Sequence, residues 1–126
     1  MAERVPETGA GHGIGPLEAS AGAWRHAPVL IASIARHRYR GLRPWSLGAG
    51  LLVSGCSVHG VGMAEPLTVV ALGDDAEVVA VRRLCRGRLV RLPGASAVLE
   101  LPERVAAPPL GAVVTFRPML DRCLGA

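Results

Sequence analysis

The sequence predicts a mainly β protein with a single domain of about seven short strands and one or two helical turns, in a barrel-like or sandwich arrangement. The chain has 126 residues, which is the length of one domain. Half of its residues are hydrophobic, yet only 3% are aromatic, so the core must be built from aliphatic side chains. Sixteen glycines and ten prolines interrupt the chain too often for long helices.

The first 24 residues are predicted to form a flexible tail. They are rich in Gly, Ala and Glu and show no apolar periodicity. The glycine-rich run at 9–15 has no strand before it and is followed by Pro16, so it lacks the context of a phosphate-binding loop. We therefore expect one β-rich domain over residues 25–118 and a C-terminal tail over 119–126.

The segment 27–41 fits two structures from its residues alone. Pro28 suits the first position of a helix, and Gly41 suits the position after its end. The apolar residues from 29 to 34 fit a buried strand equally well. Further strands are predicted over residues 48–53, 56–63, 67–72, 77–81, 88–92, 97–101 and 112–116.

Four of these strands carry additional information. Residues 67–72 and 77–81 flank a Gly-Asp-Asp turn, which is the pattern of a β-hairpin. Residues 97–101 alternate, so their odd-numbered members form one apolar face, and Glu100 is expected to meet solvent or an arginine. The charges in 88–92 are typical of a sheet edge protected against aggregation.

All the basic residues are arginines, and the formal net charge is +4. Guanidinium groups bind carboxylate and phosphate well, so a block without acidic neighbours is a candidate partner surface. A solvated face is the alternative interpretation. Nucleic acid is disfavoured as a partner because single-strand binders need aromatic platforms, and the aromatic residues here are few and dispersed. The block consists of Arg82, Arg83, Arg86, Arg88 and Arg91.

No motif for catalysis or for metal binding stands out. Cys56 and His59 would point to opposite faces of a strand, so neither a metal site nor a nucleophile–base pair is expected. The cysteines Cys56, Cys85 and Cys123 are odd in number and lack CxxC spacing, which is typical of reduced thiols. We predict no metal and no cofactor.

Six short pieces, taken in order, resemble the domain of unknown function 192 family, a group of small bacterial and archaeal proteins without an established activity. The resemblance covers residues 28–117. It implies a small barrel-like β domain whose first strand is 29–34, and some relatives are encoded near tight-adherence pilus or secretion genes. Relatives commonly have Asp at the position of Thr68 and an aromatic residue at that of Glu65. The pieces are Arg40-Gly41-Leu42, Gly50-Leu51-Leu52, Ser57-Val58-His59, Gly62-Met63, Pro66-Leu67 with Val69-Val70, and Ala97-Val98-Leu99-Glu100-Leu101.

These features predict a non-enzymatic accessory or interaction module, with an unknown protein partner and a possible link to pilus or secretion genes. The alternative is a small-molecule-binding protein or weak enzyme that uses a polar pocket around His59, Met63 and Thr68. His59 is expected to be a buried polar anchor that bonds Thr68 or Ser57, through pairing of 57–63 with 67–72. No signal peptide and no apolar run of roughly 18–20 residues are present, so a cytoplasmic location is expected.

Overall fold

The computed structural model describes residues 15–31, 48–60 and 65–119. Within these ranges the chain forms nine β-strands and no helix, which confirms the mainly β class. The expected helical turns are absent from the described residues. The strands are β1 (Leu17–Ala21), β2 (Trp24–Ile31), β3 (Gly50–Ser54), β4 (Ser57–His59), β5 (Leu67–Leu72), β6 (Val78–Leu84), β7 (Leu89–Arg91), β8 (Ala97–Pro102) and β9 (Thr115–Pro118).

Seven of the strands form one mixed sheet in the order β6-β5-β8-β3-β2-β1-β9. The neighbours β2 and β3 are parallel, and the other neighbours are antiparallel. The predicted hairpin is confirmed, because β5 and β6 pair from Leu67 opposite Leu84 to Leu72 opposite Val78. The remaining strands, β4 and β7, form a separate two-stranded sheet, which we call the small sheet.

The main sheet is covered on both faces, and each face supplies its own core. Successive residues of a strand point to opposite faces, so Leu99 belongs to one core and Val98 to the other. The major core contains Leu17, Ala19, Ala21, Val29, Ile31, Leu52, Val70, Leu72, Val78, Ala97, Leu99, Leu101, Val114 and Phe116. The minor core contains Leu51, Val58, Leu67, Val69, Ala71, Leu84, Leu92 and Val98.

The two edge strands of the main sheet approach each other at one end. The residues before β9 lie against the start of β6, where Glu77 and Val113 form an isolated antiparallel bridge. Val78 donates its N–H to the Ala112 carbonyl at 2.9 Å, and Gly111 donates to the Val78 carbonyl at 2.8 Å. The sheet is therefore strongly curved, and closure into a barrel stays a prediction.

The strand β1 corrects the predicted N-terminal tail. Leu17 is 3% exposed and Ala19 is fully buried, and β1 pairs with β2 on one side and β9 on the other. The boundary at residue 25 is therefore wrong, because the folded domain already includes residues 17–24. Alanine has little hydrophobic surface, so this alternation was inconspicuous in the sequence. Residues 1–14 and 120–126 lie outside the described residues.

The ambiguity at 27–41 resolves toward a strand as far as the description extends. β2 runs from Trp24 to Ile31, with Val29 and Ile31 buried in the major core. The strand therefore begins earlier than the 29–34 that the resemblance implied. Residues 32–47, which include the end of that predicted strand, lie outside the described residues.

Candidate functional site

The predicted pocket around His59 and Thr68 does not form. β4 pairs with β7, where His59 is opposite Leu89, and it does not pair with β5 as expected. Thr68 lies between Arg83 and Leu101 on the major-core face of the main sheet, whereas Val58 of β4 packs in the minor core. The two candidates are thus on opposite sides of the sheet, and Met63 lies outside the described residues.

His59 lies instead on the outward face of the small sheet. Val58 and Val90 are opposite each other and pack toward the minor core. Their neighbours must therefore point away from the main sheet. These neighbours are Ser57, His59, Leu89 and Arg91, and all four are exposed. The expectation that His59 is a buried anchor is wrong, because its strand has only one buried face.

The turn between β6 and β7 carries two further exposed arginines next to this face, at the end of the small sheet. Arg88 donates its N–H to the Cys85 carbonyl at 3.0 Å and accepts from the N–H of Gly60 at 2.8 Å. Gly87 has φ of 75°, a left-handed conformation suited to glycine, and it donates to the Gly60 carbonyl at 3.0 Å. These bonds fix the turn against the end of β4, and they hold Arg86 and Arg88 exposed.

We call this group the basic face and define it as His59, Arg86, Arg88 and Arg91 with Leu89. Leu89 is 58% exposed, so an apolar side chain lies in solvent among cationic ones. Within the described ranges, none of these three arginines forms an ion pair. Their charges are therefore available to an external group.

Arg82 and Arg83 have a different environment from the other three arginines of the block. Both lie on β6, which is an edge strand of the main sheet. Arg82 donates from Nη1 to the Val81 carbonyl at 3.0 Å, and Arg83 donates from Nε to Glu103. This ion pair raises the pKa of Arg83 above its ordinary value, chiefly through the hydrogen bond. The predicted five-arginine surface thus divides, and its first two members protect a sheet edge.

The acidic turn between β5 and β6 is too distant to neutralise the basic face. Asp74 accepts a hydrogen bond from Ser96, and Glu77 accepts from the N–H of Asp75 at 3.0 Å. The seven residues of β6 separate this turn from Arg86, a distance of about 20 Å at roughly 3.3 Å per residue. The screening length at physiological salt is only about 8 Å.

Glu100 is the residue that sequence reasoning placed wrongly. It is 6% exposed and lies on the minor-core face of β8, between Leu51 of β3 and Val69 of β5. Its Oε1 is buried without a hydrogen-bond partner among the described residues. Burial raises the pKa of Glu100 to about 7. Glu100 was expected to reach solvent or an arginine, but the second layer above its face prevents this.

The described residues give no metal-binding cluster of three or more His, Cys, Asp or Glu side chains. Cys56 and Cys85 are both free thiols. The described part of the chain contains no helix long and apolar enough to cross a membrane.

Comparison with known proteins gives the fold and no activity. No family model matches the chain, and no curated protein is significantly similar to it. The crystal structure of a protein of unknown function from Novosphingobium aromaticivorans DSM 12444, at 1.22 Å resolution, is similar with a TM-score of 0.59. The two share 19% sequence identity over 81% of this chain and 84% of that one. This likeness supports the β fold.

Proposed function

We propose that the chain is an interaction module that binds an acidic protein surface through its basic face. The observation that carries this proposal is the outward face of the small sheet, where Arg91 and His59 flank the 58%-exposed Leu89. Arginine is enriched at protein interfaces, where a central apolar contact is surrounded by polar groups. The basic face combines both features.

The backbone of the small sheet supports this role. Gly60 and Gly87 exchange hydrogen bonds with the residues opposite them, so the turn that carries Arg86 and Arg88 is fixed before any partner arrives. A preorganised surface loses less conformational entropy on binding. The guanidinium groups suit carboxylates through paired hydrogen bonds, which favours a partner rich in Asp and Glu.

Membership of the domain of unknown function 192 family, and with it a role beside pilus or secretion proteins, is part of the same proposal. Its support is the order of the matching pieces along the chain. Three of those pieces lie within the strands β3, β4 and β8, at Gly50-Leu51-Leu52, at Ser57-Val58-His59 and at residues 97–101.

A charge-reversal experiment tests the basic face. The variant Arg86→Glu/Arg88→Glu is compared with Arg25→Glu/Arg117→Glu, which makes the same charge change at exposed positions on β2 and β9. Binding of a poly-glutamate peptide is measured by fluorescence anisotropy at several salt concentrations. We expect the first variant to lose at least about tenfold in affinity together with its salt dependence, while the control loses much less.

Two outcomes would contradict the proposal. Equal losses in both variants would show that net charge alone drives the binding. Tighter binding of a single-stranded oligonucleotide of matched charge, reduced by the same Arg86→Glu/Arg88→Glu variant, would replace the acidic protein with a nucleic acid.

A further inference from the structure

We propose that Glu100 is a pH-responsive element that controls how firmly the small sheet packs on the main sheet. The proposal rests on the position of the carboxyl group between the two sheets. Because the small sheet carries the basic face, the proposed consequence for binding rests on the function proposed above.

Glu100 is buried on the face of β8 that carries the minor core. Its neighbours on the same face are Leu51 and Val69 across the strands and Val98 two residues earlier on β8. Val58 of the small sheet packs into the same cluster. A neutral carboxyl group is tolerated in such an apolar layer, whereas a carboxylate without donors is strongly disfavoured.

Among the described residues, the elements packed against this face supply no cationic partner for Glu100. On β6, Arg82 is opposite Val69, which is in turn opposite Glu100, so Arg82 lies on the same face of the sheet as Glu100. Its Nη1, however, donates to the Val81 carbonyl. His59 and Arg91 of the small sheet point outward. The apolar side chains of this layer are Leu30, Leu51, Val53, Val58, Leu67, Val69, Ala71, Ala80, Leu84, Val90, Leu92, Ala95 and Val98.

We expect the small sheet to be the part of this layer that opens when Glu100 ionises. It has two strands of three residues each, and two further backbone bonds, from Leu92 to the Cys56 carbonyl at 2.7 Å and from Gly60 to the Arg88 carbonyl, help to hold it. β8, in contrast, is bonded on both sides by β3 and β5. Local opening begins in the least supported unit, so charge on Glu100 should raise the opening equilibrium of the small sheet first.

Native-state hydrogen exchange on the free chain tests this inference. Amide protection is compared at about pH 5.5 and pH 8.5, corrected for the intrinsic exchange rates, in the unsubstituted chain, in Glu100→Gln and in Glu65→Gln. Glu65 is exposed and serves as the control. We expect protection of the Gly60 and Leu92 amides to fall by roughly 10- to 100-fold at the higher pH in the unsubstituted chain and the control. Glu100→Gln should remove this fall.

Three results would overturn the inference. The first is an equal loss of protection at the β8 amides, which would show a global effect without a local opening. The second is a pH dependence that Glu100→Gln retains. The third needs no variant: a carbon-13 titration of the unsubstituted chain in which the Glu100 carboxyl ionises below about pH 5.

The failure of this inference is distinguishable from a failure of the proposed function, because exchange is measured without a partner. Affinity of the poly-glutamate peptide is then measured at the same two pH values. If the basic face binds and the small sheet opens, the affinity should fall at the higher pH in the unsubstituted chain more than in Glu100→Gln. An equal fall in both chains would contradict the coupling.

Discussion

The two cores share the strands β3, β5, β6 and β8, but a buried carboxyl group lies on the minor-core face alone among the described residues. The buried side chains of the major core are apolar, whereas the minor-core face also holds Glu100, which is 6% exposed. The major core lies within the curved main sheet, and the minor core is closed by the small sheet. On the proposal above, β8 has a permanent core on one face and a pH-dependent core on the other.

The largest expected effect comes from breaking the major core. Leu99→Ala removes a fully buried side chain, which should lower the free energy of unfolding by about 2–5 kcal/mol. Val98→Ala, one residue away in the minor core, removes less volume and should cost roughly 1–3 kcal/mol. Urea denaturation monitored by circular dichroism measures both. A larger loss for Val98→Ala than for Leu99→Ala would contradict this prediction, because the minor core would then contribute more to stability than the major core.

The pH dependence of stability tests the pH-dependent core. The folded pKa of Glu100 is about 7, against an ordinary value of 4.5. Because the folded chain holds its proton to higher pH, the unfolded chain alone ionises between these values. The free energy of unfolding should therefore fall by up to about 3 kcal/mol as the pH rises from about 4.5 to 7, and change little from this group outside that window.

Equilibrium denaturation across this pH range, in the unsubstituted chain and in Glu100→Gln, isolates the contribution of the one carboxyl group. The difference between the two curves should develop between pH 4.5 and 7, where the folded and unfolded forms of Glu100 differ in protonation, and keep its full size above pH 7. An unsubstituted chain that instead becomes more stable than Glu100→Gln as the pH rises would indicate a carboxylate stabilised by a partner.

These contrasts also show what the sequence could and could not reveal. The hairpin of β5 and β6 and the alternation of β8 follow from local patterns, so both were predicted correctly. Glu100 is buried on the face that carries the minor core, and that core includes Val58 of a small sheet whose strands are far apart in the chain. Periodicity identifies which residues share a face, but it does not reveal whether a second layer covers that face.

The basic face was not predicted from the sequence for a similar reason, because it depends on a pairing between strands that are distant in the chain. His59 was placed near Thr68 because adjacent strands often pair, yet β4 skips β5 and pairs with β7. That pairing moves His59 beside Leu89 and close to the arginine block, which the sequence had treated as a separate feature. The arginine block is visible in the sequence. Only the strand pairing shows that two of its members lie at the edge of the main sheet and three lie in the basic face.

The smallest expected effect concerns the turn between β5 and β6. This turn sets the register of β6 against β5, and the register decides which side chains of β6 pack into each core. Ala76 has φ of 63°, a left-handed conformation that is costly for a side chain with a Cβ, and its N–H donates to the Gly73 carbonyl at 2.9 Å. Ala76→Gly relieves roughly 1–2 kcal/mol of strain. It also loses a buried methyl group, at about 0.8 kcal/mol, and adds disorder to the unfolded chain, at about 0.5–1 kcal/mol. These contributions nearly cancel, so stability should change by less than about 1 kcal/mol.

Ala71→Gly is the matched control for that substitution. Ala71 is also fully buried, but it lies in β5 without a left-handed conformation, so the substitution has no strain to relieve. It should lower the free energy of unfolding by about 1–2 kcal/mol, from the lost methyl group and the added freedom of the unfolded chain. The gap between the two variants in urea denaturation measures the strain at Ala76. Equal losses would mean that this turn is relaxed, and the register of β6 would then need another cause, such as the contact of Val78 with the Gly111–Ala112 backbone.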